Sequence, residues 1–292
     1  MINQLIANGL IAGSIYSLIA IGFTLIYRTV NFFHFAHGVV YTIGAYLAYT
    51  LIRTLEFPFI ISLIISIVIT TIIGIGIDCL VYAPLRKKKA SNLIFLLASF
   101  GVFVFLQNLI QLIYGAQILS IRTGEIKEGH HILGAVITDI QIIILVISIV
   151  LFLLVWWFVQ SAKIGKAMRA VSDDPLAAGV VGIDPEKTIM IAFAIGSALA
   201  AMAGILISYE TNLEPTMGFN AILKGIIASI IGGIGSIPGA VLGGYFLGLA
   251  ENLGIWKIQS GWKDAIAFGI LIIFLLLRPG GIMGVKVEKE RL

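Results

Sequence analysis

Residues 232–240 read Gly232-Gly233-Ile234-Gly235-Ser236-Ile237-Pro238-Gly239-Ala240. Apolar sequence flanks this run on both sides, from Ala221 to Ile231 with the single charge Lys224, and from Val241 to Ala250. A helix in lipid must satisfy its own backbone hydrogen bonds, and four glycines with a proline in nine residues break that ladder. Such a break persists at membrane depth only where it is buried in protein or lines a water-filled cavity. The run therefore points to a transport path rather than to a passive anchor.

The rest of the chain supports a membrane setting. Of its 292 residues, 59% are hydrophobic and 12% are charged, with a mean hydropathy of +1.07. A soluble domain carries about 25% charged residues. A transmembrane helix needs roughly 20 mostly apolar residues, which predicts spans over 4–27, 36–54, 58–82, 92–114, 139–160, 187–209 and 262–278. Residues 219–255 form the broken region, with arms 219–234 and 238–255. The expected fold is an all-α integral membrane protein. It is a polytopic helical bundle of about 8 transmembrane segments, including the broken or re-entrant one, in a single domain over 1–292. The first apolar stretch lacks a basic leader and is expected to be a retained helix.

Lys and Arg cluster at Arg86-Lys87-Lys88-Lys89, from Lys163 to Lys187, and from Arg278 to Arg291. The positive-inside rule places these in the cytoplasm. The loop 115–138, with only Arg122 and Lys127, then lies outside, as does the N-terminus. Basic loops beside membrane spans have this topological explanation, so no nucleic-acid partner is called for. The lone Cys79 excludes an internal disulfide and is expected to be a buried packing residue.

The segment 161–187 is the most readable polar connection. Asp173-Asp174-Pro175 starts a short helix, because a carboxylate caps free N–H groups and proline suits the first turn. Leu176, Ala177 and Ala178 lead on to Val181, and Gly182 can end the helix. Asp184-Pro185 starts the next one. A short apolar helix in a cytoplasmic loop has surface to bury, in a partner's groove or on the protein's own face. The charges around it are balanced, which suits a protein partner better than anionic lipid.

Ionisable residues inside a membrane are functional candidates. Asp78 is the clearest and is expected to pair with Arg86 or with backbone groups. Glu210, Glu214, Lys224, Glu251 and Asp264 fall near predicted outer span ends, with Lys257 and Lys263 in the last loop. There they dock a binding protein or are merely solvated. His34 and His37 are three apart, with no further ligands nearby, so neither a metal nor any other cofactor is expected. His34 is read either as bordering the path or as capping the second span. Gly165-Lys166-Ala167 lacks the Ser or Thr and the spaced glycine of a phosphate-binding loop, so ATP hydrolysis must come from a separate subunit. A faint echo relates His37-Gly38…Gly44-Ala45-Tyr46 to Pro238-Gly239…Gly243-Gly244-Tyr245.

Four segments carry a family resemblance. Leu176-Ala177-Ala178 followed by three residues and Gly182 resembles the "EAA" loop of ABC importer permeases, with Leu in place of the leading Glu. His34-Phe35-Ala36-His37-Gly38, with Tyr41 and Gly44, resembles the Asn-Phe-Ala-His-Gly segment of branched-chain amino acid ABC permeases, with His34 in place of Asn. The 232–240 run and the ending Leu277-Arg278-Pro279-Gly280-Gly281-Ile282-Met283-Gly284 resemble the same family. The resemblance implies a permease subunit of an importer for branched-chain amino acids, not itself an enzyme, in a bacterial or archaeal cell membrane. It implies three partners: ABC ATPase subunits, a second homologous permease and an extracytoplasmic substrate-binding protein. The coupling loop would then be Asp173, Asp174, Pro175, Leu176, Ala177, Ala178 and Gly182. The candidate translocation path is His34, His37, Gly38, Gly232, Gly233, Gly235, Ser236, Pro238 and Gly239. The alternatives are an ABC permease for urea or short amides, or a self-contained channel or secondary transporter.

Overall fold

The computed structural model describes residues 1–122 and 129–284. Lys127 and the basic tail beyond Gly284 lie outside them. The helices are α1 (Ile2–Val30), α2 (Ala36–Tyr49), α3 (Phe59–Ile77), α4 (Ala83–Lys87), α5 (Asn92–Tyr114), α6 (Asp139–Ser161), α7 (Lys163–Asp173), α8 (Pro175–Val180), α9 (Pro185–Glu210), α10 (Met217–Gly232), α11 (Ile237–Gly254) and α12 (Lys263–Leu277). Two π-turns, Thr50–Thr54 and Asp78–Tyr82, extend α2 and α3. The connection before α6 contains a hairpin of β1 (His130–Ile132) and β2 (Ala135–Ile137). Leu133 and Gly134 close it with positive φ at both turn positions, the backbone that a tight two-residue hairpin requires.

Among the described residues, six helices are long and apolar enough to cross a membrane, or up to seven if α10 and α11 form one span bent by 115°. The sequence count of about 8 differs by α2. That helix has 14 residues, short of the roughly 20 that cross a bilayer, and all of them except Leu47 and Tyr49 are buried.

The described residues form two compact units, and the chain passes between them several times. One contains residues 25–122 and 153–222. Its centre is α2, packed against α9, α3 and α5. Close approach depends on small residues: a Cβ on Gly44 would meet Ala201, and one on Gly204 would meet the Tyr41 carbonyl. The buried face of α3 is the four-residue repeat Ser62, Ser66, Thr70 and Gly74, with Gly74 against Ser197 of α9. Ser99 of α5 accepts a hydrogen bond from the Ala36 amide at 3.1 Å, so the start of α2 is capped from a neighbouring helix.

The other unit contains residues 1–24, 129–152 and 223–284. Here α1 and α11 run antiparallel along a glycine seam: Gly9 lies against Leu249, Gly13 against Tyr245 and Gly244 against Ser17. Polar side chains tie the seam and its neighbour α10 together. Ser14 meets the Tyr245 hydroxyl at 3.0 Å, and Thr24 meets Ser229 at 2.8 Å. Cys79, in the first unit, is exposed, against expectation: Asp78 continues the buried face of α3, and Cys79 is one residue further round the helix.

Candidate functional site: the docking segment, the glycine corner and the buried charges

The docking segment lies within the first unit. Helix α7 folds back on the end of α6 because Gly165 has no side chain: a Cβ there would strike the Phe158 and Val159 carbonyls. Arg169 donates to the Val159 carbonyl, covering an open end of α6. Asp174 then caps α8, its carboxylate accepting from the amides of Leu176 at 2.8 Å and Ala177 at 3.0 Å. Pro175 occupies the first position. Gly182, at φ +86°, closes the helix: Gly182 N–H bonds to Gly179 O at 3.1 Å and Ile183 N–H to Ala178 O at 3.0 Å. This double closure is the Schellman ending. Asp184 caps α9 in turn, and the Lys187 amide holds its carboxyl below the usual carboxylate range.

The faces of α8 differ from the sequence expectation in one respect. Leu176, Val180 and Val181 are 84%, 89% and 75% exposed, whereas Ala178 is 3% exposed and packs inward. Leu176 and Val180 are four apart and share a face. Ala178 lies about 200° from each around a helix of 3.6 residues per turn. Asp173 is exposed at the end of α7.

His34 and His37 come together in the same unit, with ring centroids 5.9 Å apart. His34 Nδ1 lies 3.1 Å from the Tyr82 hydroxyl, and its ring meets Phe193 and Tyr82 edge-on. It does not cap α2, which Ser99 does instead. Gly38 is a crossing point: a Cβ there would strike the Gly218 carbonyl and Ile222.

The glycine corner belongs to the other unit. Gly233 at φ +107° and Gly235 at φ +89° turn the chain. Ser236 caps α11 by accepting from the Gly239 amide at 3.1 Å, and Pro238 sits in its first turn. Gly232 and Gly239 touch backbone to backbone. The chain after α12 closes the corner. Gly281, at φ +69°, lies against Gly233, and the amides of Ile282 and Met283 donate to the carbonyls of Ile231 and Gly232, each at 2.8 Å. The two glycine segments, distant in sequence, thus form one knot. Substituting Ala at Gly232 is expected to lower the thermal midpoint of the purified protein by overpacking worth about 1–3 kcal/mol. Ala at Gly76, where a Cβ meets nothing within 4 Å, is the control. Equal melting of the two variants would show that the corner does not need its glycines.

Sequence reasoning missed the buried charges of this unit. Lys224 and Glu251, expected near outer span ends, are 8% and 0% exposed and form an ion pair. Tyr16 donates to Glu251 at 2.9 Å, and Asp264 meets Lys224 at 2.8 Å. The available signal was opposite charge on two otherwise apolar arms. In the first unit, Asp78 does pair with Arg86, and Glu186 joins them.

Three comparisons bear on this arrangement. The profile of the family described as "Branched-chain amino acid transport system / permease component" matches residues 5–275. The chain is 38% identical over 300 residues to the high-affinity branched-chain amino acid transport system permease protein BraD of Pseudomonas aeruginosa, covering 98% of this chain and 97% of that protein. It is 36% identical over 300 residues to the corresponding permease protein LivH of Escherichia coli K12, with the same coverage. Among solved structures, PsaBC from Streptococcus pneumoniae in complex with a Fab has a similar fold. Its TM-score is 0.53 at 14% identity, covering 94% of this chain and 91% of that one.

Proposed function

The chain belongs to the family of branched-chain amino acid transport system permease components, and from that premise we propose that it is the membrane permease subunit of an ABC importer for branched-chain amino acids. The substrate class rests on the names of the relatives BraD and LivH. The whole chain acts as one transmembrane permease domain. It pairs with a second homologous permease, receives substrate from an extracytoplasmic binding protein, and leaves ATP hydrolysis to separate subunits.

The observation that carries the reading is α8. It is capped at both ends, and it presents Leu176, Val180 and Val181 to its surroundings with no cover among the described residues. The basic segment around it places that face in the cytoplasm, where an ATPase groove would take it. Asp173, Asp174, Pro175 and Gly182 shape the helix, and Leu176 and Ala177 lie on it. To the translocation path we assign His34, His37 and Gly38 in one unit and, separately, Gly232, Gly233, Gly235, Ser236, Pro238 and Gly239 in the other. Most are buried against backbone or aromatic rings, so they shape the route rather than reach into it.

The test is isolation and reconstitution. The chain is expected to co-purify with an ATPase. The assembled complex should take up leucine only with ATP and binding protein. Ion-coupled leucine uptake by this chain alone in liposomes would overturn the assignment.

A further inference from the structure

The Arg86 guanidinium joins two carboxylates from different parts of the fold. It holds Asp78 of the π-turn through Nη1 at 2.6 Å and Nη2 at 3.2 Å. It holds Glu186 of the first turn of α9 through Nη2 at 2.6 Å and Nε at 3.1 Å. Asp78 is 1% exposed. The planar fork of arginine is suited to such a double grip, which a lysine ammonium cannot reproduce. Glu186 lies two residues beyond Asp184, the cap that ends the docking segment.

Tyr82 of the same π-turn also meets Phe193 of α9, with ring centroids 5.6 Å apart, but that contact is apolar. A cavity of about 310 Å³, lined by Asp78, Lys87, Glu186, Lys187 and Met190 among others, opens beside the grip. Along the buried seam of α3 and α9, the hydroxyls of Ser66, Thr70 and Ser197 have no hydrogen-bond partner among the described residues. The seam is lined with small residues that pack closely, Gly74 against Ser197, and Arg86 supplies charged bonds to both elements at its end. The π-turn that presents Asp78 is a rare element, frequent at functional sites.

We infer that Arg86 is a positioning residue that couples α3 to the docking segment. Motion imposed on α8 reaches Glu186 through Asp184 and then passes through Arg86 to Asp78, so that α3 and α9 move as one body. The inference rests on the proposed function for the source of that motion. It goes beyond that reading by naming the linkage through which the motion reaches a membrane helix.

The test uses the complete complex in proteoliposomes, with leucine as the transported probe, and measures ATP hydrolysis and uptake on the same preparation. Arg86→Gln is expected to keep hydrolysis within about twofold and to lower leucine moved per ATP at least tenfold. Arg86→Lys should recover part of that ratio. If Arg86→Gln fails to assemble, Glu186→Gln replaces it, because Glu186 is half exposed and the Asp78 pair stays intact; the same split is expected. A parallel fall in hydrolysis and uptake, or no change in either, would overturn the linkage. A second measurement does not depend on transport. Hydrogen exchange of the wild-type and Glu186→Gln complexes should rise together over 66–82 and 174–190 in the variant. A rise confined to 174–190 overturns the linkage. If wild-type complex neither hydrolyses ATP nor moves leucine, the proposed function fails, while the same exchange comparison on the purified permease chain alone still decides the linkage.

Discussion

Val180→Glu is expected to strip the ATPase subunits from the permease while leaving the permease folded. Val180 is the most exposed apolar side chain of α8, at 89%. A carboxylate there stays hydrated in the free subunit and costs little stability. In a closed apolar groove the same carboxylate must be desolvated without a partner. That costs at least about 3 kcal/mol, or on the order of 100-fold in affinity. Co-purification of the ATPase and ATP-driven leucine uptake should both be lost, with unchanged expression and size-exclusion profile. Leu176→Glu on the same face should behave alike. Ala178→Glu should instead damage the permease, because Ala178 packs inward. A Val180→Glu complex that stays assembled and active would remove α8 from the interface.

Lys224→Met should be the most destabilising charge substitution in the chain. Glu251 is fully buried and would lose its ammonium partner, keeping only the hydrogen bond from Tyr16. Removing one partner of a buried pair costs about 3–5 kcal/mol, whereas removing both is often neutral. Lys224→Met combined with Glu251→Gln should therefore recover more than half of the lost thermal stability, because glutamine still accepts from Tyr16. Purified single and double variants compared by thermal unfolding decide the matter. A double variant as unstable as the single one would mean that Lys224 acts through packing alone.

Much of the fold is legible in the chain because lipid imposes a length. The predicted spans 92–114 and 139–160 match α5 and α6 to within a residue, and 36–54 matches α2 with its π-turn. The 219–255 break was visible because glycine and proline interrupt a hydrogen-bond ladder. What was not legible depended on which way a helix faces. Cys79 points outward because the buried repeat of Ser62, Ser66, Thr70 and Gly74 continues onto Asp78, and the next residue lies about 100° away from that face. Lys224 and Glu251 read as surface charges because neither arm, taken alone, shows its partner 27 positions away. The inward placement of Ala178 was available in principle, since its angular distance from Leu176 and Val180 follows from helical periodicity. The Arg86–Glu186 contact spans 100 positions and had no local signature.

The corner has a consequence for how the protein is made. The carbonyls of Ile231 and Gly232 are satisfied by the amides of Ile282 and Met283, which are synthesised some fifty residues later, after the whole of α11 and α12. Unpaired carbonyls within a bilayer cost several kcal/mol each. A chain stopped at Leu277 would hold α10, α11 and α12 but would leave these two carbonyls without their donors. Truncation there is expected to loosen the bend between α10 and α11, although it removes none of these three helices.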